Sequence, residues 1–342
     1  MLKAVVILFL GLVSLGQCAP SNSSTQATFR NPILNGAAPD PYIYRHNDGF
    51  YYWAKSTGNG IEVMRSRILT DFRNSERRVV FNAQAPYGAL WAPEIHFIQG
   101  NFYIYFALET NNDNANHRMY VIRANDPNNA LGGYSGIVKL TPHDSDVWAI
   151  DGTVMQYGNG RLYFIWSGWP TINAGFPQNL YIAPMSDPMT LSGPRVLLRE
   201  PTGRWETIGA PLDEGPQVLE HNGRTFLIFS ASGSWTADYC LGMIGIDGLR
   251  DPLVRSNWWQ DVDRAVFWRN DEQSVFGTGH ASFTVSPDGS EPWIVYHAME
   301  RPDAGWEGRT ARVERFVWNP DGSPGFPRPA GLWNDLETPR GQ

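Results

Sequence analysis

Apolar positions in this chain fall in short runs, not in helical stripes. The run YIYRHNDGFYYWAKS, Tyr42 to Ser56, shows the pattern: a short apolar strand, a polar turn at Asp48-Gly49, then a strand rich in aromatics. A 3.6-residue period is nearly absent. Runs of aromatic and β-branched residues, broken by Asn-Gly, Asp-Gly and Pro, predict β-hairpins joined by tight turns.

One phrase returns five times. It appears as DPYIYRHNDGFYYWAKS from Asp40, PEIHFIQGNFYIYFALE from Pro93, IDGTVMQYGNGRLYFIWSG from Ile150, DEGPQVLEHNGRTFLIFSAS from Asp213 and GHASFTVSPDGSEPWIVYHAM from Gly279. Each copy has a polar head, an apolar strand, a glycine turn and a second aromatic strand. The heads are Asp40, Glu94, Asp151, Glu214 and His280, spaced 54, 57, 63 and 66 residues apart. Units of this size with at least two strands predict propeller blades, which need roughly 40–50 residues plus loops. The expected fold is all-β, a single five-bladed β-propeller over residues 20–342. Inner strands would line a channel and bring the five heads to one end of it.

Composition changes this picture in two places. The chain of 342 residues holds 14 Trp, 14 Tyr and 17 Phe, and exposed rings stack well on the apolar faces of sugars. Net charge is -7 and no basic block appears, which argues against a nucleic-acid partner. The opening MLKAVVILFLGLVSLGQCAP has a lysine, an apolar run and small residues, and reads as a secretory signal peptide over 1–19, cleaved after Cys18 or Ala19. No other stretch reads as a membrane span. The expected mature protein is secreted, extracellular and monomeric. Its single cysteine, Cys240, would be a buried small hydrophobe, and Asn22-Ser23-Ser24 is a glycosylation sequon.

Four carboxylates and a histidine at repeat positions suggest chemistry, because like charges at a channel mouth repel and are tolerated mainly where they are used. The chain lacks an EF-hand loop, HExxH, zinc spacing, a P-loop and a GxSxG elbow. Paired carboxylates in an aromatic, secreted chain fit glycoside hydrolysis, which needs one carboxyl as acid and another as base or nucleophile.

These residues resemble glycoside hydrolase family 43. The resemblance rests on Asp40 in APDPYIY, Trp91 to Glu94 in WAPE, Asp151 in AIDGTV, Glu214 in DEGPQV and His280 in GTGHASF, and it covers nearly the whole expected mature chain. It implies an inverting enzyme with Asp40 as general base, Glu214 as general acid and Asp151 as the carboxylate that orients the acid and tunes its pKa. It implies no cofactor for the chemistry, and a structural calcium or sodium ion near His280. It also implies sugar contacts from Trp91, Glu94 and Arg309, with Arg312 as the competing arginine.

Trp169 and Trp235 follow second strands and would line the rim. His96 and His297 read as packed residues, and His117 as part of a polar rim or surface loop. The expected activity is release of L-arabinose from arabinan or arabinoxylan by an α-L-arabinofuranosidase. β-Xylosidase, endo-1,5-α-L-arabinanase and a non-catalytic sugar-binding propeller are the alternatives.

Overall fold

The computed structural model describes residues 27–158, 160–260 and 263–342. The expected signal peptide, Cys18 and the Asn22 sequon lie outside these residues. Among the described residues no helix is long and apolar enough to cross a membrane.

Five antiparallel sheets follow one another along the chain. Their inner strands are Tyr42–Arg45, Tyr87–Ile98, Ala149–Tyr157, Asp213–His221 and Phe276–Val285. Each inner strand touches the inner strands of the blades on either side, and the fifth returns to the first. This closes a five-bladed β-propeller around a channel.

The second strand of each blade is covered on both sides by sheet, so its sequence needs no polar alternation. Arg161–Gly168 is buried from Leu162 to Gly168, and Asn101–Thr110 is buried from Asn101 to Leu108. Five large apolar clusters fill the gaps between blades. Tyr105 and Val121 of blade two pack on Val154 and Phe164 of blade three, and the last cluster joins Trp53 of blade one to Trp293 and Val313 of blade five. Cys240 is free and buried in the cluster between blades three and four.

The repeat turns are as expected. In Gln99-Gly100 and Asn222-Gly223 both central residues have positive φ, 48° and 80° in the first and 49° and 74° in the second. That is the twist a two-residue hairpin requires, and glycine meets it without strain.

The ring closes through the N-terminal segment, which adds to the edge of blade five. Asn31 accepts the Val313 N–H at 3.0 Å and donates to the Val313 carbonyl at 3.1 Å. Ile33 N–H reaches the Ala311 carbonyl at 3.0 Å, and Ala38 N–H reaches that of Arg309 at 2.9 Å. Thr28–Phe29 also pairs with Leu336–Glu337 near the C-terminus.

Inner strands share a second device. Asp40, Ala92, Asp151, Gly215 and His280 all have positive φ, between 41° and 55°. In blades two to five the ladder slips at this residue, between Trp91 and Glu94, Ile150 and Thr153, Glu214 and Gln217, and Gly279 and Ser282. Left-handed backbone costs a non-glycine residue energy, and such strain gathers where a side chain must be re-aimed. The equivalent heads are therefore these five. Glu94 lies two residues beyond its blade's left-handed position and Glu214 one residue before, which corrects the register read from sequence.

Candidate active site

Asp40, Asp151, Glu214 and His280 meet at one end of the channel. The aspartates and the histidine stand on left-handed residues, so their side chains leave the ladder and converge. Asp40 Oδ1 lies 3.2 Å from Arg309 Nη1 and 3.3 Å from His280 Nδ1. The Asp40 N–H donates to His297 Nδ1 at 3.2 Å. Asp151 Oδ2 accepts the Gly215 N–H at 3.2 Å and lies 3.9 Å from His280 Nδ1. Glu214 Oε1 accepts the Tyr239 hydroxyl at 2.7 Å.

The three carboxyls do not share one electrostatic fate. Burial alone would raise Asp40, but the positive charges of His280 and Arg309 hold it well below the usual carboxylate range. Asp151 is pushed up to about 8, first by burial and then by the charges of Glu214 and Asp40 against the pull of His280. Burial also raises Glu214, although His280 and Tyr239 pull it down. His280 is raised because the carboxylates outweigh its burial. His297 is lowered to about 4 by burial, so its ring is neutral and Nδ1 accepts the Asp40 amide. With His280 and Arg309 cationic and Asp40 ionised, the site is electrically balanced when Asp151 and Glu214 together hold one proton.

Asp151, Glu214 and His280 present donor atoms within 4.8 Å of one another, an arrangement able to hold an ion. An ion placed directly on Asp151 and Glu214 would keep both ionised and remove the only acid. That fits poorly with the proton balance, and a hard cation wants six or more oxygens. A cation next to His280 fits only if water supplies most of its ligands.

Glu94 bonds to a different set of residues. It is buried in the channel, where it accepts from Gln217 Nε2 and, at 2.8 Å, from His96 Nε2. His96 Nδ1 in turn accepts the Tyr42 hydroxyl at 3.2 Å. Below this network lies a polar cavity of about 310 Å³ lined by Tyr42, His96, Thr153 and Gln217 among others. Glu94 is thus committed to a hydrogen-bond network inside the channel.

Trp169 is displaced from its expected place. It is buried and stacks on Trp148 with centroids 4.9 Å apart and planes 10° apart, inside the core between blades two and three. Trp91 is 37% exposed and stacks on His117 at 3.8 Å. His117 is not a surface residue: it is buried beneath Trp91, facing the carbonyls of Asn114 and Ala89. Arg312 is buried within blade five, whereas Arg309 points at Asp40.

Sequence reasoning missed three residues here. Trp306 is 54% exposed and meets Trp235 edge to face at 5.6 Å, and its carbonyl accepts Arg309 Nε at 3.0 Å. Tyr239 sits immediately before the third strand of blade four, Cys240–Asp247, and His297 lies on the second strand of blade five, Pro292–Met299, both outside the repeated heads. Only GWEGRT, an exposed tryptophan just before the arginine, carried a visible signal.

A family model described as "Glycosyl hydrolases family 43" matches residues 29–324. The chain is 34% identical over 340 residues to an "Extracellular exo-alpha-(1->5)-L-arabinofuranosidase" of Streptomyces avermitilis, covering 95% of this chain and 69% of that protein. It is 31% identical over 325 residues to "Alpha-L-arabinofuranosidase 43" of Humicola insolens, covering 91% and 66%. The chain thus spans about two thirds of the length of these curated relatives. The crystal structure of an α-L-arabinofuranosidase from Lactobacillus brevis superposes with a TM-score of 0.82 at 32% identity, covering 89% of this chain and 98% of that one.

Proposed function

The chain belongs to glycosyl hydrolases family 43 and is a glycoside hydrolase, and we propose that it is a secreted, inverting exo-α-L-arabinofuranosidase acting on arabinan or arabinoxylan. The names of its relatives support the substrate, and the apolar opening of the chain supports secretion.

The observation that carries the mechanism is the contrast between Asp40 and the Asp151–Glu214 pair. Asp40 is held ionised by Arg309 and His280, which suits a general base. It takes a proton from water as the water oxygen bonds to the anomeric carbon. Glu214 gives its proton to the glycosidic oxygen as the carbon–oxygen bond breaks. Asp151 keeps that proton in the pair by adding negative charge beside Glu214. Attack by water opposite the leaving group inverts the anomeric centre. Solvent then returns the proton from Asp40 to the pair. Arg309 and Trp91 would contact the bound sugar. A calcium or sodium ion near His280, held mostly through water, would act by charge and support alone.

The test is product chromatography on linear α-1,5-arabino-oligosaccharides, arabinoxylan and xylobiose, with NMR of the first-formed anomer. Arabinose alone, appearing with inverted configuration, is expected. A ladder of oligomers would mean endo action, and xylose from xylobiose a β-xylosidase. No product from folded protein would favour a binding-only propeller.

A further inference from the structure

Tyr239 and His297 form a stacked pair that touches both reacting carboxyls. Their rings lie 5.6 Å apart with planes 8° apart. The Tyr239 hydroxyl donates to Glu214 Oε1 at 2.7 Å, and His297 Nδ1 accepts the backbone N–H of Asp40 at 3.2 Å. Both side chains are fully buried. Behind the pair, Ser230 Oγ accepts the His280 N–H at 2.7 Å. Gly279 leaves the space the tyrosine ring occupies, because a β-carbon there would lie 2.2 Å from Tyr239 Cε1.

The direction of these bonds has a chemical consequence. The Tyr239 hydroxyl commits its proton to Glu214 Oε1. With Oε1 taken by a donor, the acid's own proton belongs on Oε2. We infer that Tyr239 is a positioning residue of the glycosidic reaction, which commits Oε2 of Glu214 to protonating the leaving group and stabilises the carboxylate as that proton departs. This rests on the glycosidase reading above. A hydrogen bond to a carboxylate is roughly twice as strong as one to a neutral group, so the bond tightens in the transition state and should appear in kcat more than in KM.

The experiment uses Tyr239→Phe, which keeps the ring, its stack on His297 and its fit over Gly279. Turnover is measured on an arabino-oligosaccharide, a poor leaving group, and on 2,4-dinitrophenyl α-L-arabinofuranoside, which needs little protonation. The expected result is a loss of about 10- to 100-fold in kcat on the oligosaccharide with KM nearly unchanged, and under about threefold on the aryl substrate. 3-Fluorotyrosine at position 239, a stronger hydroxyl donor of nearly the same shape, should change kcat on the oligosaccharide and leave the aryl substrate nearly unaffected, and serves if the first variant does not fold. Equal losses on both substrates, or a change confined to KM, would overturn the inference and leave the glycosidase reading standing. Wild-type protein that cleaves neither substrate would overturn both.

Discussion

The Arg309 guanidinium lies 3.2 Å from Asp40 Oδ1, and its Nε donates to the carbonyl of Trp306 at 3.0 Å. One side chain thus ties the ionised aspartate of blade one to an exposed aromatic loop of blade five. Arg309→Ala removes a charge that keeps Asp40 ionised, and should cost about 10²- to 10³-fold in kcat/KM. Arg309→Lys should recover part of this, since it keeps charge but loses the planar fork. Steady-state kinetics on an aryl arabinofuranoside would check both. Retention of activity in the alanine variant would remove Arg309 from the site.

Trp306 and Trp235 present an aromatic edge beside that arginine. Trp306→Ala should raise KM for arabino-oligosaccharides about 3- to 10-fold, the worth of an aromatic contact of 0.5–1.5 kcal/mol, with kcat little changed. A fall in kcat alone would mean that the loop shapes the site without holding sugar.

Activity should persist far into acid, because Asp40 is held well below its usual range. It should fall on the alkaline side as the Asp151–Glu214 pair loses its proton, with Asp151 placed at about 8. A kcat/KM profile from pH 4 to 10 is the measurement, and an alkaline limb that survives in Asp151→Asn unchanged would count against this pair.

The same groups set a stability trend of the same sense. Asp151 and Glu214 are raised in the fold, so the unfolded chain releases their protons near pH 4 while the folded pair still shares one at higher pH. Their contribution is full below that unfolded value and is lost as pH rises through the folded values. Asp151→Asn should therefore raise Tm near pH 8, by roughly 2–4 °C for each kcal/mol relieved, while lowering activity. Thermal melts of both proteins at pH 5 and pH 8 would show whether the gain grows with pH as this requires.

Ring closure is tested at Asn31, whose side chain makes both bonds to Val313. Asn31→Ala leaves a buried N–H and carbonyl unpaired and should cost about 1–3 kcal/mol in denaturant unfolding. An unchanged midpoint would mean that the Ile33 and Ala38 backbone bonds and the Thr28–Phe29 pairing hold the ring without it.

Strand positions, turns and blade number were legible because their causes are local. A strand covered on both sides reads as an unbroken apolar run, as in FYIYFAL, and a hairpin announces itself by Asn-Gly or Gln-Gly. Asp40, Asp151 and His280 were found because they recur at the same place in the repeat. Glu94 falls two residues past the equivalent position because a bulge shifts register without leaving a mark in polarity, and in WAPE the left-handed residue is the plain alanine before the proline.

Trp169 and Trp306 show the same limit from another side. Both are tryptophans in loops after second strands, yet one stacks on Trp148 inside the core and the other stands open beside Arg309. Which neighbour a loop meets depends on the blade packed against it, and those contacts span most of the chain. By itself the sequence determined the kind of elements, their number and the residue types able to move protons, since each follows from side chains within a few positions of one another. Only the tertiary structure decided which carboxyl stays ionised, because Asp40 draws its charge balance from His280 and Arg309, both more than 200 residues away along the chain and within 3.3 Å in space.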